Sequence, residues 1–336
     1  MAHRMKMPRE LPTLGLILIM SGALALTVPA FRESGNLSAV GQNAAFIGIL
    51  ACGEGLVILG AGLDLSVGSI MALSACITAA CVAAGWGWMP SVVAGLVTGL
   101  GAGAINGGLI TDRIPLPFAG SILQKMGAKI RSVPRPPILT TLATLLLFRY
   151  GVSLLTHNKS FDAFDTSAPG LYKLGQGAVA IFAFVVVVLI AAIVTLRTRF
   201  GRWTLAMGGG EPATRLSGVP TAAVKQLGYA LSGFCAAITG ILTMSFSNHA
   251  QWDMGKGAEL DAIAACVVGG VRITGGDGSL LGAALGAILI ALLQNGLVLL
   301  GRPKEQYGLF TGAVILAAAV IEQVRLHRLQ QKGVRV

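Results

Sequence analysis

The sequence predicts an all-α, polytopic membrane protein with about ten transmembrane helices. Hydrophobic residues make up 54% of the 336 residues and charged residues only 12%, about half the charged share of a soluble protein. The charges cluster between long uncharged blocks, several of which reach the roughly 20 residues that cross a bilayer. Because these blocks are continuous rather than alternating, a β-barrel is excluded.

Ten apolar blocks are long enough, or nearly long enough, to be read as spans. They form one transmembrane domain over residues 11–322, between a cytoplasmic N-terminus (1–10) and a basic cytoplasmic tail (323–336). The first block follows a basic segment and could imitate a signal peptide, but the later spans favour a retained anchor. The predicted spans are Leu11–Ala30, Ala44–Gly60, Leu65–Ala84, Pro90–Ile110, Pro137–Thr156, Gly177–Leu196, Gln226–Phe246, Glu259–Val271, Ser279–Leu300 and Gly308–Ile321.

The distribution of basic residues orients these spans. With a cytoplasmic N-terminus, the cytoplasmic segments hold 18 Lys and Arg residues and the opposite side holds 6. This asymmetry follows the positive-inside rule and places both termini in the cytoplasm. Removing one span would put alternate basic loops on opposite sides, so the charge pattern supports ten spans. Trp86 and Trp88 suit the outer interface, where indole rings settle.

Several function classes are disfavoured by what the sequence lacks. The net charge of +11 is explained by cytoplasmic loops, and no basic patch interleaved with aromatic residues suggests nucleic acid. There is no GxxxxGK[ST] phosphate loop and no HExxH motif. The segment "TGGDG" at 274–278 falls short of the GxGD protease signature. Five scattered cysteines and four histidines predict no metal site and no disulfide framework.

What remains is a transporter rather than an enzyme or a channel, since neither a nucleophile–base pair nor a filter sequence is present. Its energy must come from an ion gradient or from a separate ATPase. The cytoplasmic loop 197–225 favours an ATPase, because "GEPATRLSG" predicts a short helix. Pro212 suits its first turn, Glu211 complements its dipole and Gly218 can end it. So short a helix must dock onto something; the alternative is an interfacial connector.

Charged and polar residues inside predicted spans are candidates for function. A charge at the centre of a span costs about 2.5–3.5 kcal/mol on insertion scales and usually faces a cavity or a partner. Two aspartates among them share a sequence pattern. Leu63-Asp64 and Leu260-Asp261 each precede a predicted helix of small residues, and these two helices are five spans apart. An odd offset reverses orientation, which predicts an inverted repeat. The candidates are Glu54, Asp64, Arg149 and Asp261, with Asn106 and Asn295 as polar companions.

Two interpretations of Asp64 stay open at the level of sequence. The carboxylate can cap the helix that follows it, assisted by Ser66 and Ser69. Alternatively, Asp64 and Asp261 face the translocation pathway. Arg149 also has two interpretations, because its long stem can reach the outer interface or its charge can pair with Glu54 or an aspartate.

Five segments together resemble one family. They are "GLVILGAGLDLSVGSIMALSA", "AINGGLI", "PPILTTLATLLLFRYG", "GRWTLAMGGGEPATRLSGV" and "ELDAIAACVVGGVRITGGDGSLLGAALGAILIALLQNGLVLLG", in this order. They resemble the permease subunits of bacterial ABC importers for ribose, xylose, galactose and related monosaccharides. The resemblance covers roughly residues 10–322. The "LDLSVGS" segment and the pattern around "RLSGV" are specific, whereas the glycine-rich "NG" pieces are not.

The resemblance implies partners and a mechanism. Two permease subunits, identical or not, would sit on two cytoplasmic ATPase domains in the inner membrane, and a periplasmic solute-binding protein would deliver the sugar. No cofactor is expected in this chain, because ATP–Mg would bind the ATPase. Transport would proceed by alternating access. The ATPase would be contacted by the coupling helix Gly210, Glu211, Pro212, Ala213, Thr214, Arg215, Leu216, Ser217 and Gly218. The resemblance leaves open related solutes: autoinducer-2, sugar alcohols, branched-chain amino acids and nucleosides.

The sequence departs from the family pattern at two places. Residues 111–136 intervene where the family has only a few residues. Within them we predict a basic amphipathic helix on the lipids of the cytoplasmic leaflet, with an unstructured loop as the alternative. Its apolar face would comprise Ile122, Leu123, Met126 and Ile130. The second departure is Glu54, where the family more often has a neutral residue.

Overall fold

Helices account for nearly all regular structure in the computed structural model, which describes residues 10–114, 135–303, 306–317 and 320. Pro29–Arg32 forms a 3-10 turn, and two short strands, β1 (Phe161–Asp162) and β2 (His249–Ala250), are also present. The helices are α1 (Leu11–Thr27), α2 (Ser34–Leu59), α3 (Val67–Ala83), α4 (Trp88–Ile110), α5 (Pro137–Leu155), α6 (Phe164–Ser167), α7 (Pro169–Leu174), α8 (Gly177–Arg197), α9 (Arg199–Gly209), α10 (Glu211–Leu216), α11 (Thr221–Ser247), α12 (Ala258–Val268), α13 (Leu280–Leu299) and α14 (Gln306–Ala317).

The predicted class, an all-α polytopic membrane protein, is confirmed. Among the described residues, 6 helices are long and apolar enough to cross a membrane: α2, α4, α5, α8, α11 and α13. The helices α1, α3 and α14 are apolar but shorter. The predicted amphipathic face within 111–136 and the basic tail 323–336 lie outside the described residues.

Several predicted spans differ in length from the helices of the structure, and two of the differences are large. Helix α12 has only 11 residues, which rise about 16 Å, or half of the hydrocarbon core. The predicted eighth span, Glu259–Val271, is therefore shorter still in the structure, because the helix ends at Val268, before Gly269 and Gly270, and Gly270 adopts a left-handed conformation. Helix α2 begins at Ser34, ten residues before the predicted start.

Helix α2 is the centre of the structure. It packs against α8, α11, α12 and α13, and most of its residues from Ala44 onward are buried. The outer helices have the opposite character, because Leu18 in α1, Leu147 in α5 and Phe182 in α8 are 71%, 69% and 69% exposed. Large exposed apolar side chains on several outer helices are what a lipid-facing surface requires.

Glycine allows α4 and α11 to pack with their backbones in contact. Gly99, Gly103 and Gly107 recur every fourth residue and therefore share one face of α4. A methyl group on Gly103 would lie 2.1 Å from the carbonyl oxygen of Tyr229, and one on Gly233 would lie 2.2 Å from the carbonyl oxygen of Gly99. Small residues at this spacing permit close helix–helix approach in membranes.

We expect Gly103→Ala to destabilise the protein, because the new methyl group meets backbone that cannot move independently. Overpacking of this kind costs about 1–3 kcal/mol. Gly101→Ala is the matched control, since a methyl group there has no atom within 4 Å; it should leave stability unchanged or raise it slightly. Thermal unfolding in detergent measures both, and equal midpoints for the two variants would contradict the packing argument.

Strands β1 and β2 join two loops at one end of the helices. They pair antiparallel, with Phe161 opposite Ala250 and Asp162 opposite His249. A second contact supports the pairing, since the side chain of Asn248 accepts a hydrogen bond from the backbone of Asp165 (3.0 Å) and donates one to its carboxylate (2.9 Å). The loop after α5 is thereby fastened to the loop after α11.

Candidate functional site

The loop of residues 60–66 connects α2 to α3 inside the helical body. Ala61 adopts a left-handed conformation with φ 57°. The carbonyl oxygen of Leu63 accepts hydrogen bonds from the hydroxyls of Tyr229 (3.3 Å) and Thr141 (3.2 Å). Because irregular backbone in a membrane must be satisfied by protein donors, α5 and α11 hold this loop in place.

The centre of the loop is a buried polar cluster of Glu54, Asp64, Ser66 and Asn106, hereafter the Asp64 network. Glu54 Oε1 accepts the backbone N–H of Asp64 at 3.1 Å. Asp64 Oδ1 accepts the backbone N–H of Ser66 at 3.0 Å and its hydroxyl at 2.6 Å. Asn106 Nδ2 donates to Ser66 Oγ at 2.6 Å and more weakly to Asp64 Oδ1 at 3.4 Å. Four of the residues predicted from sequence are thus brought together from α2, α4 and the loop.

The Asp64 network has more acceptors than donors. Glu54 Oε2, Asp64 Oδ2 and Asn106 Oδ1 have no hydrogen-bond partner, and no described cationic side chain forms an ion pair with either carboxylate. All four residues are fully buried. In this conformation the network therefore anchors the loop and does not line an open passage.

Asp64 does not cap α3 in the way the sequence suggests. Helix α3 begins at Val67, its N-cap is Ser66, and no side chain accepts a hydrogen bond from its first turn. The carboxylate binds Ser66 instead, two residues along, as in an Asx turn. Ser69 donates its hydroxyl to the carbonyl of Ser66 at 2.7 Å. Asp64 thus stabilises the loop that precedes the helix.

Asp261 and Asn295 lie in a separate polar cluster. Asp261 is in the first turn of α12 and accepts hydrogen bonds from Gln294 (3.0 Å) and Thr311 (3.1 Å). Asn295 pairs reciprocally with Asn36, at 2.7 and 3.2 Å. The two aspartates are therefore not brought together, and they differ in position, since Asp64 precedes its helix whereas Asp261 lies within its own.

The position of Arg149 in the structure agrees with neither of the two interpretations made from the sequence. Its side chain is only 6% exposed, so it does not extend to an interface. It does not pair with Glu54, Asp64 or Asp261, and its Nη1 donates to the carbonyl of Met254 at 3.2 Å. The nearby carboxylates are Glu259 and Asp253, which the sequence analysis did not select. In the sequence, the two glycines of "WDMGKG" (252–257) indicate an irregular loop next to these carboxylates.

The predicted coupling loop contains two helices, α9 and α10, of which α10 matches "EPATRL". Glu211 in its first turn bonds Arg215 at 2.9 Å and Lys225 of α11 at 2.5 Å. Burial raises the pKa of Glu211, but the hydrogen bonds and charges of Lys225 and Arg215 outweigh it and lower the pKa overall. Gly218 adopts φ 83° after the helix. Leu216 is 91% exposed, so α10 presents an unpaired apolar side chain.

Helix α9 approaches the end of α2 with its backbone at Gly208, while the side chains of Met207 and Thr204 lie beside Gly60 of the loop. A methyl group on Gly208 would lie 2.0 Å from the carbonyl oxygen of Leu59 and 2.1 Å from the nitrogen of Gly276. The same carbonyl accepts the N–H of Gly276 at 2.9 Å. Displacement of α9 therefore acts directly on the end of α2 and on the segment that follows α12.

The β1–β2 pair contains a titratable contact between Asp162 and His249, which lie outside the spanning helices. Their hydrogen bond lowers the pKa of Asp162 and raises the pKa of His249. The histidine contribution is present below its ordinary pKa of 6.5 and is lost as the pH rises through the raised value. The aspartate contribution is present above 3.8 and is lost as the pH falls through the lowered value.

We therefore expect the β1–β2 pair to open more often at about pH 8 than at about pH 5.5, because deprotonated His249 no longer binds Asp162 as a cation. Hydrogen exchange of the Phe161 and Ala250 amides, corrected for intrinsic exchange, measures the opening. His249→Gln should remove the pH dependence. An opening fraction that is independent of pH in the unmodified protein would contradict the expectation.

No group of three His, Cys, Asp or Glu side chains within the described ranges is placed to hold a metal ion. Comparison with known proteins identifies the chain instead. Residues 36–319 match the family described as branched-chain amino acid transport system / permease component. No solved structure matches.

Three relatives cover nearly the whole chain. The ribose import permease protein RbsC of Escherichia coli strain K12 is 32% identical over 93% of this chain and 92% of its own length. RbsC of Bacillus subtilis strain 168 has the same identity and coverage. The autoinducer 2 import system permease protein LsrC of Photorhabdus luminescens is 32% identical over 94% of this chain and 89% of its own. These relatives are permease subunits and not enzymes, and the chain belongs to this family of ABC transporter permeases.

Proposed function

We propose that this chain is the permease subunit of an ATP-driven importer that moves a monosaccharide, a pentose or hexose, across the bacterial inner membrane. The observation that carries the proposal is similarity over nearly the full length of ribose import permeases from two bacteria, at 32% identity. An exposed short helix, α10, favours ATP over an ion gradient, because it offers a docking element outside the spanning helices.

Autoinducer-2 is the second candidate substrate. LsrC matches this chain at the same 32% identity and over 94% of its length. Both candidate substrates are small polar solutes, and a permease supplied by a solute-binding protein need not bind its cargo tightly. The uptake experiment below separates them.

The proposed topology has both termini in the cytoplasm and the two halves related as an inverted repeat. The contact of Lys225 with Glu211 places the start of α11 beside α10, whereas α11 ends at β2. Helix α10 and the β1–β2 pair therefore lie at opposite ends of α11. This separation supports a cytoplasmic α10 and a periplasmic β1–β2, in agreement with the charge count.

In the proposed assembly, two permeases, this chain and an identical or different partner, sit on two ATPase subunits. Residues 210–218 contact the ATPase, with Leu216 as the apolar contact. The periplasmic solute-binding protein docks at the opposite end, near β1–β2. ATP–Mg binds the ATPase, and this chain requires no cofactor. Closure of the ATPase dimer moves α9 and α10, and Gly208 transmits the movement to Leu59 and Gly276.

Uptake into proteoliposomes tests the proposal. The chain is reconstituted with its ATPase and solute-binding protein, and labelled ribose, xylose, galactose and autoinducer-2 are supplied outside. We expect accumulation of at least one monosaccharide that requires ATP and stops when the ATPase is inactivated. Uptake driven by an ion gradient without ATP would refute the proposal, and uptake of autoinducer-2 alone would favour the second candidate.

A further inference from the structure

Arg149 is an unusual buried arginine because its guanidinium is mostly unsatisfied. The residue is 6% exposed, and within the described part of the chain its only hydrogen bond runs from Nη1 to the carbonyl of Met254. A guanidinium has five N–H donors, and a buried charge is normally paired or fully hydrogen-bonded. The remaining donors of Arg149 are therefore available to another acceptor.

Each of two carboxylates next to this guanidinium has an oxygen that lacks a hydrogen-bond donor. Glu259 Oε2 and Asp253 Oδ1 are buried oxygens without a hydrogen-bond partner, and both carboxylates act electrostatically on Arg149. A methyl group on Gly68 would lie 2.3 Å from Glu259 Oε2 and 3.4 Å from Arg149 Nη2. Donor and acceptor thus converge on one point beside the start of α3.

Arg149 and Glu259 nevertheless form no direct salt bridge, which would require a separation of 4.0 Å or less. Glu259 Oε2 and Arg149 Nη2 lie 2.3 and 3.4 Å from the same point at Gly68, which keeps them within about 6 Å of each other. Across a gap of this size a single oxygen can accept from the guanidinium and donate to the carboxylate. A hydroxyl group does both at once. A carboxylate or a metal ion would be repelled by one side of the cluster.

An aromatic pair lies beside this cluster. The rings of Tyr150 and Trp252 are 6.1 Å apart, and these residues adjoin Arg149 and Asp253 in sequence. Tyr150 is 56% exposed. Aromatic faces next to a few convergent polar groups are typical of small-molecule sites, and an aromatic face packs well against the C–H surface of a sugar ring.

We propose that Arg149, Asp253 and Glu259 form a transient binding site for sugar hydroxyls, flanked by Tyr150 and Trp252. The site rests on the proposed function and adds the residues that contact the cargo within this chain. It lies at the end of α11 remote from α10, on the side where the solute-binding protein is proposed to dock.

The site is occluded in the present conformation. Neither Glu259 Oε2 nor Asp253 Oδ1 touches solvent. The loop 251–257 lies directly on α3, since the methyl group considered at Gly68 would also be 2.3 Å from the carbonyl oxygen of Gly255. Gly255 and Gly257 adopt φ of 71° and 89°. Separation of this loop from Gly68 opens the site, as alternating access requires.

Trp252 fluorescence tests the site directly. The importer, with Trp86, Trp88 and Trp203 replaced by Phe in this chain and with a tryptophan-free ATPase, is placed in nanodiscs. Ribose, xylose or galactose is titrated in the nucleotide-free and vanadate-trapped states. We expect a saturable fluorescence change in one state. Glu259→Gln and Arg149→Lys should each raise the half-saturating concentration at least tenfold.

Lys256→Gln is the matched control, because it removes an exposed charge from the same loop and should leave the half-saturating concentration unchanged. Asp253→Asn replaces any variant whose unfolding midpoint shows that it does not fold. A missing fluorescence change in both states, or equal half-saturation in all variants, overturns the site. Uptake by the unmodified importer and by each variant is measured in parallel, so that sugar transport at the unmodified rate in all variants refutes the site and leaves the proposed function standing.

Discussion

Asp64→Ala is expected to prevent stable assembly, whereas Asp64→Asn is expected to retain assembly and most transport. The alanine variant removes the acceptor of the Ser66 N–H and of the Ser66 hydroxyl, both fully buried. It also removes the weak hydrogen bond that Asn106 Nδ2 donates to Asp64 Oδ1. A buried donor left unsatisfied costs about 1–3 kcal/mol, so several together remove much of a typical stability of about 5–15 kcal/mol.

The asparagine variant separates anchoring from contact with the cargo. An amide oxygen in place of Oδ1 still accepts from Ser66, and the unpartnered Oδ2 position becomes an NH₂ group. Monodisperse yield and the unfolding midpoint in detergent report assembly, and ATP-dependent uptake reports transport. An alanine variant as stable as the unmodified protein would refute the anchoring role. A well-assembled asparagine variant without transport would instead show that Asp64 acts in the pathway.

The members of the Asp64 network can be predicted from the sequence because burying polar side chains in a membrane costs free energy, and the sequence shows where such side chains occur. Glu54, Asp64 and Asn106 interrupt apolar segments, and polar groups in a membrane require partners wherever they lie. Asp261 and Asn295 also interrupt apolar segments, but their hydrogen-bond partners are Gln294 and Asn36 and not members of the Asp64 network. Composition thus identifies residues that need partners, but it does not tell which partner each one finds.

The features that the sequence does not predict depend on tertiary contacts. The first ten residues of α2 have low hydropathy but are helical where Asn36 and Asn43 bond Asn295 and Gln294 of α13. The surroundings of Arg149 depend on a loop that lies on α3 at Gly68. Neither contact produces a periodic sequence pattern. Both join residues more than a hundred positions apart, and the second also depends on a single glycine, Gly68.

Gly208→Ala is expected to lower ATP-dependent uptake at least tenfold. The added methyl group would lie 2.0 Å from the carbonyl oxygen of Leu59 and 2.1 Å from the nitrogen of Gly276, and backbone atoms that are themselves hydrogen-bonded do not rotate away as a side chain would. Helix α9 must therefore move away from the end of α2 and from Gly276. Since this is the proposed route from the ATPase to the membrane, hydrolysis of ATP should continue while transport is lost.

The adjacent glycine gives a matched control for this substitution. A methyl group on Gly209 meets no atom within 4 Å, and both residues lie in the last turn of α9. Alanine favours a helix over glycine by about 0.5–1 kcal/mol, so Gly209→Ala should preserve uptake and slightly raise the unfolding midpoint. Uptake and ATP hydrolysis measured on the same proteoliposomes distinguish uncoupling from misfolding. If Gly208→Ala transports as well as Gly209→Ala does, movement of α9 reaches the pathway by some other contact than the one between Gly208, Leu59 and Gly276.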